Sequence, residues 1–338
     1  MIDSKLKRKQ IIVCLVLTVL LFLAVTWSIT SGEYKMDLSA YLKTLIGQGE
    51  FKDNLILMEF RMPRMLITLL AGMALSMSGA IIQSITKNPL AESGILGINA
   101  GGGFAIAVFI VIGQVNPNTF IYVLPLISAA GGILTALLIF LFSYNKGKGI
   151  SPVNMVLIGV GLSAALSGGS ITMMRKFNED QAEFIAAWMA GNIWGDEWPF
   201  VLAFLPWILI IIPFLFFKSN SLNIINTNDQ TAKSLGVNLD KERLILLIAS
   251  VILSSVAVAV VGSIGFIGLM GPHIAKSFVG PRHQLFLPIA LLTGAFLLVV
   301  ADTVGQTVLP IGTIPAGIVV AIIGAPYFLY LMYKTNAV

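Results

Sequence analysis

Runs of about 20 apolar residues recur along nearly the whole of this 338-residue chain and constrain its fold more than any other feature. A helix needs about that many residues to cross a hydrocarbon core of about 30 Å. The sequence therefore predicts an all-α polytopic membrane protein with about ten transmembrane helices, near residues 11–30, 65–85, 94–113, 120–142, 153–173, 199–217, 243–262, 264–278, 285–303 and 313–332. The eighth run is short and rich in glycine, which predicts a half-helix buried among the others.

Composition excludes several other classes of protein. Charged residues make up 11% of the chain, against about 25% in an average soluble protein. The net charge of +5 is spread thinly, without a basic cluster suited to a phosphate backbone, so nucleic acid is not an expected partner. Because Cys14 is the single cysteine, an intrachain disulfide is not possible.

The distribution of lysine and arginine predicts the orientation, because cytoplasmic segments retain positive charge. The first apolar run exceeds the about 7–15 residues of a signal-peptide core, which favours a retained first helix. With the N-terminus inside and ten crossings, the inside segments hold 14 of the 21 lysines and arginines. We therefore expect a single domain over residues 1–338 in the cytoplasmic membrane, with both termini, residues 1–10 and a loop at 218–242 in the cytoplasm.

The motifs of common enzymes are missing from the sequence. Gly147-Lys148-Gly149 lacks the upstream glycine and the hydroxyl of a phosphate-binding loop, so the chain is not expected to bind ATP by itself. The two histidines, His273 and His283, are too far apart in sequence for a zinc motif. A dinucleotide fingerprint at residues 159–164 falls inside an apolar run, not after a strand. We therefore predict no catalytic site, cofactor or metal in this chain.

Charge inside the apolar runs is sparse. Proton- and ion-coupled carriers place charged side chains within their helices as relays. Here Asp302 lies near the end of one run and Lys276 near the inner face of another. Uphill transport by this protein would therefore need energy from another molecule.

Small residues at four-residue spacing favour close packing of helices. Gly72, Ser76 and Ala80 form one such series, and Gly97 and Gly101 form another. In lipid, where apolar side chains gain little by leaving the solvent, helices associate through such surfaces.

The polar stretch at 218–242 contains a predicted short helix over residues 229–236, with an acidic start and a glycine stop. Ala232 and Leu235 are three residues apart, so they should share a face that could dock in a groove of a partner. A helix resting on the inner leaflet of the membrane is the alternative.

Two arginines open the second apolar run, in the sequence Arg61-Met62-Pro63-Arg64. Pro63 suits a first helical turn, and the arginines lie roughly on one side of the helix. Positive charge at a helix N-terminus opposes the helix dipole, which suggests a partner for these side chains. Snorkelling to lipid headgroups is the alternative.

Several ordered motifs resemble the FecCD/BtuC family of permeases from bacterial iron-siderophore and vitamin B12 importers. In the first half, Arg61-Met62-Pro63-Arg64 is followed by Gly79-Ala80-Ile81-Ile82-Gln83, Asn88-Pro89-Leu90-Ala91 and Leu96-Gly97. The second half carries Gly271-Pro272-His273-Ile274, Asp302-Thr303, Pro315-Ala316-Gly317 and Gly324-Ala325-Pro326-Tyr327-Phe328. The resemblance covers about residues 60 to 332.

This resemblance implies a ten-helix permease with the BtuC-like fold of a type II ABC importer. It also implies the partners: a second permease subunit, in a homodimer or a heterodimer, two cytoplasmic ATPase subunits that bind ATP and Mg, and an extracytoplasmic substrate-binding protein. Closure of the ATPases would rock the permeases and expose a central cavity to each side in turn.

The resemblance also assigns roles to residues. In the family, arginines at the positions of Arg61 and Arg64 receive acidic residues of the binding protein. A further family arginine follows the late aspartate by four residues, a place held here by Gln306, which weakens any third docking contact. The remaining implied positions are a cytoplasmic gate at Asn88, Pro89, Leu90 and Ser151, and an ATPase-coupling helix at Ala232, Leu235 and Gly236. For Asn88, a helix cap is the alternative.

The expected function is import of an iron-siderophore complex, with ferric hydroxamate as the specific expectation. Catecholate and carboxylate siderophores, haem and cobalamin also suit this family. A secondary transporter or channel would need no ATPase, and the nearly charge-free runs disfavour it. A membrane-embedded enzyme would need a polar catalytic constellation that the sequence does not contain.

Overall fold

A computed structural model describes residues 3–31, 37–113, 122–145, 149–150, 152–176, 179–227, 229–309 and 312–336. Within these residues nearly all regular structure is helical, and the exception is a pair of two-residue antiparallel strands, β1 (Tyr144–Asn145) and β2 (Gly149–Ile150). The all-α expectation is therefore confirmed.

Fifteen α-helices follow one another along the described residues, together with one π-helical and one 3₁₀ segment. The first half contains α1 (Ser4–Thr30), α2 (Leu38–Leu45), α3 (Phe51–Leu55), the π-helix (Ile56–Arg61), α4 (Met62–Thr86), α5 (Ile98–Gly113), α6 (Leu124–Ser143) and α7 (Pro152–Met173). The second half contains the 3₁₀ segment (Met174–Lys176), α8 (Glu179–Met189), α9 (Trp198–Phe217), α10 (Ser219–Ile225), α11 (Asp229–Ser234), α12 (Leu239–Val261), α13 (Ile267–Val279), α14 (His283–Thr307) and α15 (Ala316–Asn336).

Eight of the described helices are long and apolar enough to cross a membrane, and each coincides with a run found in the sequence. The other two runs correspond to α5, with 16 residues, and to α13, with 13 residues. At about 1.5 Å per residue, α13 is about 20 Å long and too short to cross a bilayer alone. It is packed against α4 and α14, as expected for a half-helix.

The core of the bundle is α4, which packs against α12, α13 and α14. Small residues permit this packing. A Cβ at Gly72 would overlap the carbonyl oxygen of Gly294 on α14, and the hydroxyl of Ser76 donates to the carbonyl oxygen of Ala290 at 2.6 Å. The predicted role of the small residues in close helix approach is confirmed.

The arginine motif does not begin a helix, which corrects the dipole argument made from the sequence. A single span runs over Phe51–Thr86 because α3, the π-helix and α4 are continuous. Arg61 and Arg64 therefore lie inside a long helix, near its π-helical turn, and not at an exposed N-terminus.

Polar contacts between helix ends define two opposite faces of the bundle. We call the face at the start of α1 the N-terminal face, where the side chain of Gln10 donates to the carbonyl oxygen of Gln284 on α14 at 3.1 Å. The end of α4 lies at the same face, since Ser84 and His283 hydrogen-bond at 2.6 Å. Arg64, near the start of α4, lies at the opposite face.

Candidate functional site

Arg64 is held by an aspartate that lies 238 positions later in the chain. Its Nη2 lies 2.9 Å from Oδ1 of Asp302, and its Nε lies 3.3 Å from Oδ2 of the same carboxylate. Asp196 adds a longer ion pair at 3.6 Å. The Asp302 side chain is 5% exposed and that of Arg64 is 22% exposed. A two-point pair of this kind fixes the direction of the guanidinium as well as its position.

Gln306 binds the same carboxylate, through Nε2 at 2.6 Å from Oδ2 of Asp302. The neutral residue at the position of the family arginine therefore completes a hydrogen-bonded network around Asp302 in this chain. Arg61 lies close by in sequence, and its Nη1 donates to the carbonyl oxygen of Ile29 at the end of α1. Both arginines are thus anchored within the chain while part of each side chain stays accessible.

We expect Asp302→Asn to lower the free energy of unfolding by about 1.5–3 kcal/mol, the usual contribution of hydrogen bonds to a charged group. The variant keeps the size of the side chain but removes the charge that Arg64 faces. Thermal unfolding of the purified protein in detergent measures the effect. Asp196→Asn is the matched control, because that side chain is 48% exposed and its ion pair is long, so its effect should be small. Equal losses of unfolding free energy in the two variants would contradict the assignment of Asp302 as the main partner of Arg64.

Residues 88–90, which we call the gate segment after the role that the resemblance implies for them, follow Lys87, the residue that caps α4, at the N-terminal face. Lys87 ends α4 in the left-handed conformation, with φ 50°. Oδ1 of Asn88 accepts the backbone N–H of Leu90 at 2.9 Å, and Ala91 N–H donates to the carbonyl oxygen of Asn88 at 3.2 Å. Asn88 therefore closes a tight turn and does not cap a following helix. Pro89 is exposed, whereas Ser151 lies outside the described residues.

Glu92 is a buried acid that the sequence analysis missed, because it lies between two apolar runs. Its side chain is 6% exposed, and the carboxylate accepts hydrogen bonds from the backbone N–H groups of Phe266 and Leu269. Phe266 immediately precedes α13, and Leu269 lies in its first turn, where its N–H also donates to the carbonyl oxygen of Phe266 at 3.1 Å. The signal was an acid directly after the Asn-Pro-Leu-Ala motif. Glu92 thus connects the residues that follow the turn at 88–90 to the start of α13.

The short helix expected near residue 229 is present as α11, and the predicted glycine stop is confirmed. Gly236 has φ +78°, Gly236 N–H donates to the carbonyl oxygen of Lys233 at 2.9 Å, and Val237 N–H donates to that of Ala232 at 3.2 Å. This pair of bonds is the Schellman arrangement, in which glycine takes the left-handed position.

The structure separates Ala232 and Leu235, the two apolar residues that were expected to share a face for docking. Ala232 is 0% exposed and belongs to the main hydrophobic core, whereas Leu235 is 63% exposed. The expectation failed because Leu235 follows the last helical residue, so the three-residue spacing no longer places it above Ala232. Leu235 is the apolar side chain of this segment that a partner could contact.

Comparison with known proteins identifies close relatives over nearly the full length. The FecCD transport family matches residues 19–334. The iron(3+)-hydroxamate import system permease protein of Bacillus subtilis is 40% identical over 337 residues, 98% of this chain and 100% of that protein. The Fe(3+) dicitrate transport system permease protein of Escherichia coli is 36% identical over 287 residues, 85% of this chain and 88% of that protein. A solved metal-chelate type ABC transporter in an inward-facing conformation has a TM-score of 0.81 at 29% identity, covering 96% of this chain and 99% of that one.

The helical bundle and its spans define a multi-pass membrane protein of the ABC importer permease class. The chain belongs to the FecCD transport family. It is a transport subunit and not an enzyme, and the ATPase of such an importer is a separate subunit. The permease class works in a membrane complex with an ATPase and a binding protein.

Proposed function

We propose that this protein is the permease that carries a ferric hydroxamate siderophore across the cytoplasmic membrane. The observation that carries the proposal is the 40% identity to an iron(3+)-hydroxamate permease, over 98% of this chain and 100% of that protein. The sparse charge of the spans supports a dependence on ATP hydrolysed by a partner, because ion-coupled carriers keep charged relays within their helices.

Uptake into proteoliposomes tests the substrate. The permease is reconstituted with its ATPase and binding protein, and ATP-dependent accumulation of labelled ferric hydroxamate, ferric catecholate, ferric citrate, haem and cobalamin is compared. We expect the hydroxamate complex to accumulate fastest and only with ATP. Faster accumulation of haem or cobalamin would favour the alternative within the same family, and accumulation without the ATPase would favour a secondary transporter.

The proposed arrangement places both termini and the N-terminal face in the cytoplasm, following the excess of lysine and arginine in those segments. Two permease subunits enclose the pathway, two ATPases bind ATP and Mg at the N-terminal face, and the binding protein docks at the opposite face. No cofactor is held by this chain itself. Labelling of single cysteines introduced at Lys5 and Lys241, in a Cys14→Ser background, tests the orientation, since both should react only from the cytoplasmic side.

Arg61 and Arg64 are the proposed docking residues for acidic side chains of the binding protein. A guanidinium has five N–H donors, so an arginine that is anchored within the chain can still donate to a partner. The bonds to Ile29 and Asp302 would hold the two side chains in a fixed direction before docking, which lowers the entropy cost of the contact.

Reversal of both charges, Arg61→Glu with Arg64→Glu, should weaken the binding-protein affinity of the folded permease by about 10-fold or more, since close interfacial pairs couple by about 1.5–7 kcal/mol. Because Arg64→Glu also places a carboxylate beside Asp302, the melting temperature and the assembly of the variant are checked first. Because charge steering acts on the association rate, most of the loss should appear at low salt. Surface plasmon resonance with the assembled permease measures this, and uptake should fall with it. Lys52→Glu is the control, because it reverses a charge outside the Arg61–Arg64 motif and should leave the affinity nearly unchanged. Unchanged affinity in the double variant would refute the assignment.

At the N-terminal face, residues 88–90 together with Ser151 are the proposed gate, and α11 with the residues that end it is the proposed coupling helix. Leu235 is the proposed ATPase contact, and Gly236 sets the chain direction that exposes it. The buried Ala232 would anchor α11 to the bundle, so that force applied at Leu235 moves the helix as a unit.

A further inference from the structure

The start of the proposed coupling helix and the end of α4 meet at one carboxylate oxygen. Oδ1 of Asp229 lies 2.7 Å from Nζ of Lys87 and 2.8 Å from Nη2 of Arg243. The Lys87 ammonium also donates to the carbonyl oxygen of Thr227 at 2.6 Å. The side chain of Lys87, the residue that caps α4, therefore bridges to the residues that open α11.

The two basic partners of Asp229 differ in burial, and this difference separates their roles. The side chain of Arg243 is 4% exposed, and among the described residues its ion pair is with Asp229. Removing the carboxylate would leave that cation buried and unpaired, which is strongly destabilising. Lys87 and Asp229 are 31% and 46% exposed, and an exposed ion pair adds little to stability. Arg243 therefore anchors Asp229, whereas the Lys87 contact can be removed without unfolding the protein.

The carboxylate is ionised at neutral pH. Burial would raise the pKa of Asp229, but the hydrogen bond from Lys87 and the charges of Arg243 and Lys87 outweigh it and lower the pKa below its usual value. The contact should therefore be present through the physiological range and be lost as the pH falls through the lowered pKa of this group.

Lys87 is also one residue from the gate segment. Its backbone adopts φ 50°, and the N–H of the next residue, Asn88, donates to the carbonyl oxygen of Gln83 at 3.2 Å. Oδ1 of Asn88 in turn receives the N–H of Leu90 at 2.9 Å. The chain after Lys87 is thus a tightly bonded turn, so a displacement of the Lys87 backbone must move residues 88–90 with it.

We propose that the Lys87–Asp229 contact transmits the movement of α11 to the gate segment, with Lys87 as a positioning residue for the gate. The proposal rests on the coupling role assigned to α11 above. It deepens that role, because it names the contact through which movement of the ATPase would displace residues 88–90. Without this contact, α11 can still dock and the ATPase can still turn over, but its movement no longer reaches residues 88–90 through this lysine.

The test compares Lys87→Met, which removes the charge and keeps the length of the side chain, with Lys87→Arg, which restores the charge. ATP hydrolysis and solute uptake are measured on the same reconstituted importer. We expect Lys87→Met to keep ATPase binding and hydrolysis while the solute imported per ATP falls by about 2- to 30-fold, the usual range for residues on a coupling route. Lys87→Arg should recover most of the ratio. Lys241→Met, an exposed lysine in the first turn of α12, is the matched control and should leave the ratio unchanged.

Three results would overturn the proposal. An unchanged ratio in Lys87→Met would show that gate movement does not depend on this lysine. Loss of the ATPase from the purified complex would assign Lys87 to assembly. A lowered melting temperature with hydrolysis and uptake falling together would assign it to stability. Failure of the coupling role itself is distinguishable, because then the ATPase would stay bound when Leu235 is changed, whatever Lys87 does.

Discussion

Leu235→Asp is expected to strip the ATPase from the purified permease and to abolish ATP-dependent uptake, the largest functional effect that we predict. Leu235 is 63% exposed at the end of α11, in a protein whose other apolar side chains at that segment are packed inward. Burying a leucine in a partner's groove contributes about 1.5–3 kcal/mol. The variant loses that contribution and must in addition bury a carboxylate, so the affinity should fall by about 100-fold or more.

Co-purification on a tagged permease and the ATPase rate of the complex measure this effect. Leu309→Asp is the matched control, since Leu309 is an exposed leucine that follows α14 at the opposite face. Leu309→Asp makes the same chemical change, and the variant should retain the ATPase. If Leu235→Asp keeps the ATPase at the wild-type ratio, α11 is not the docking element, and a helix resting on the inner leaflet becomes the better interpretation.

Gly79→Ala should produce a large loss of stability, comparable with that of Asp302→Asn. A Cβ at this position would overlap the carbonyl oxygen, the carbonyl carbon and the Cα of Gly268, which are backbone atoms of α13 and cannot rotate away. The half-helix would have to shift from α4. Overpacking of this kind costs about 1–3 kcal/mol and sometimes more, which exceeds the about 0.5–1 kcal/mol that alanine gains over glycine within a helix.

The melting temperature in detergent and the yield of folded protein measure the Gly79 effect. Gly161→Ala is the control, because Gly161 is also inside a helix and a Cβ there meets no atom of the described chain within 4 Å. This control should be neutral or slightly stabilising. A melting temperature for Gly79→Ala equal to that of the control would contradict the close approach of α4 and α13.

The spans could be predicted from the sequence because hydropathy is a local property. Each apolar run is long enough to partition into the bilayer independently of its neighbours. The half-helix α13 was also predictable, since its run was shorter and richer in glycine than the others. The continuity of Phe51–Thr86 was not, because Pro63 was read as a helix start, and the wider π-helical turn before it lets the helix pass through.

The short helix α11 was predicted from local signals and is present in the structure. The roles assigned to Arg61, Arg64 and residues 88–90 stay predictions. The partners of those residues could not be predicted, because hydrogen bonds between distant positions depend on how the helices pack. Glu92 was missed for a related reason, since an acid between two apolar runs gives no local sign that it is buried at the start of another helix.

The sequence by itself determined the class of this protein, the positions of its eight long apolar helices and its family, because partition into lipid and short ordered motifs are properties of consecutive residues. Tertiary structure alone decided that Arg64 binds Asp302 across 238 positions and that Lys87 binds Asp229 across 142. It also decided that Ala232 turns inward while Leu235 stays exposed. The physical reason is that side-chain pairing and burial are set by helices that meet in space and not by the residues that adjoin in sequence.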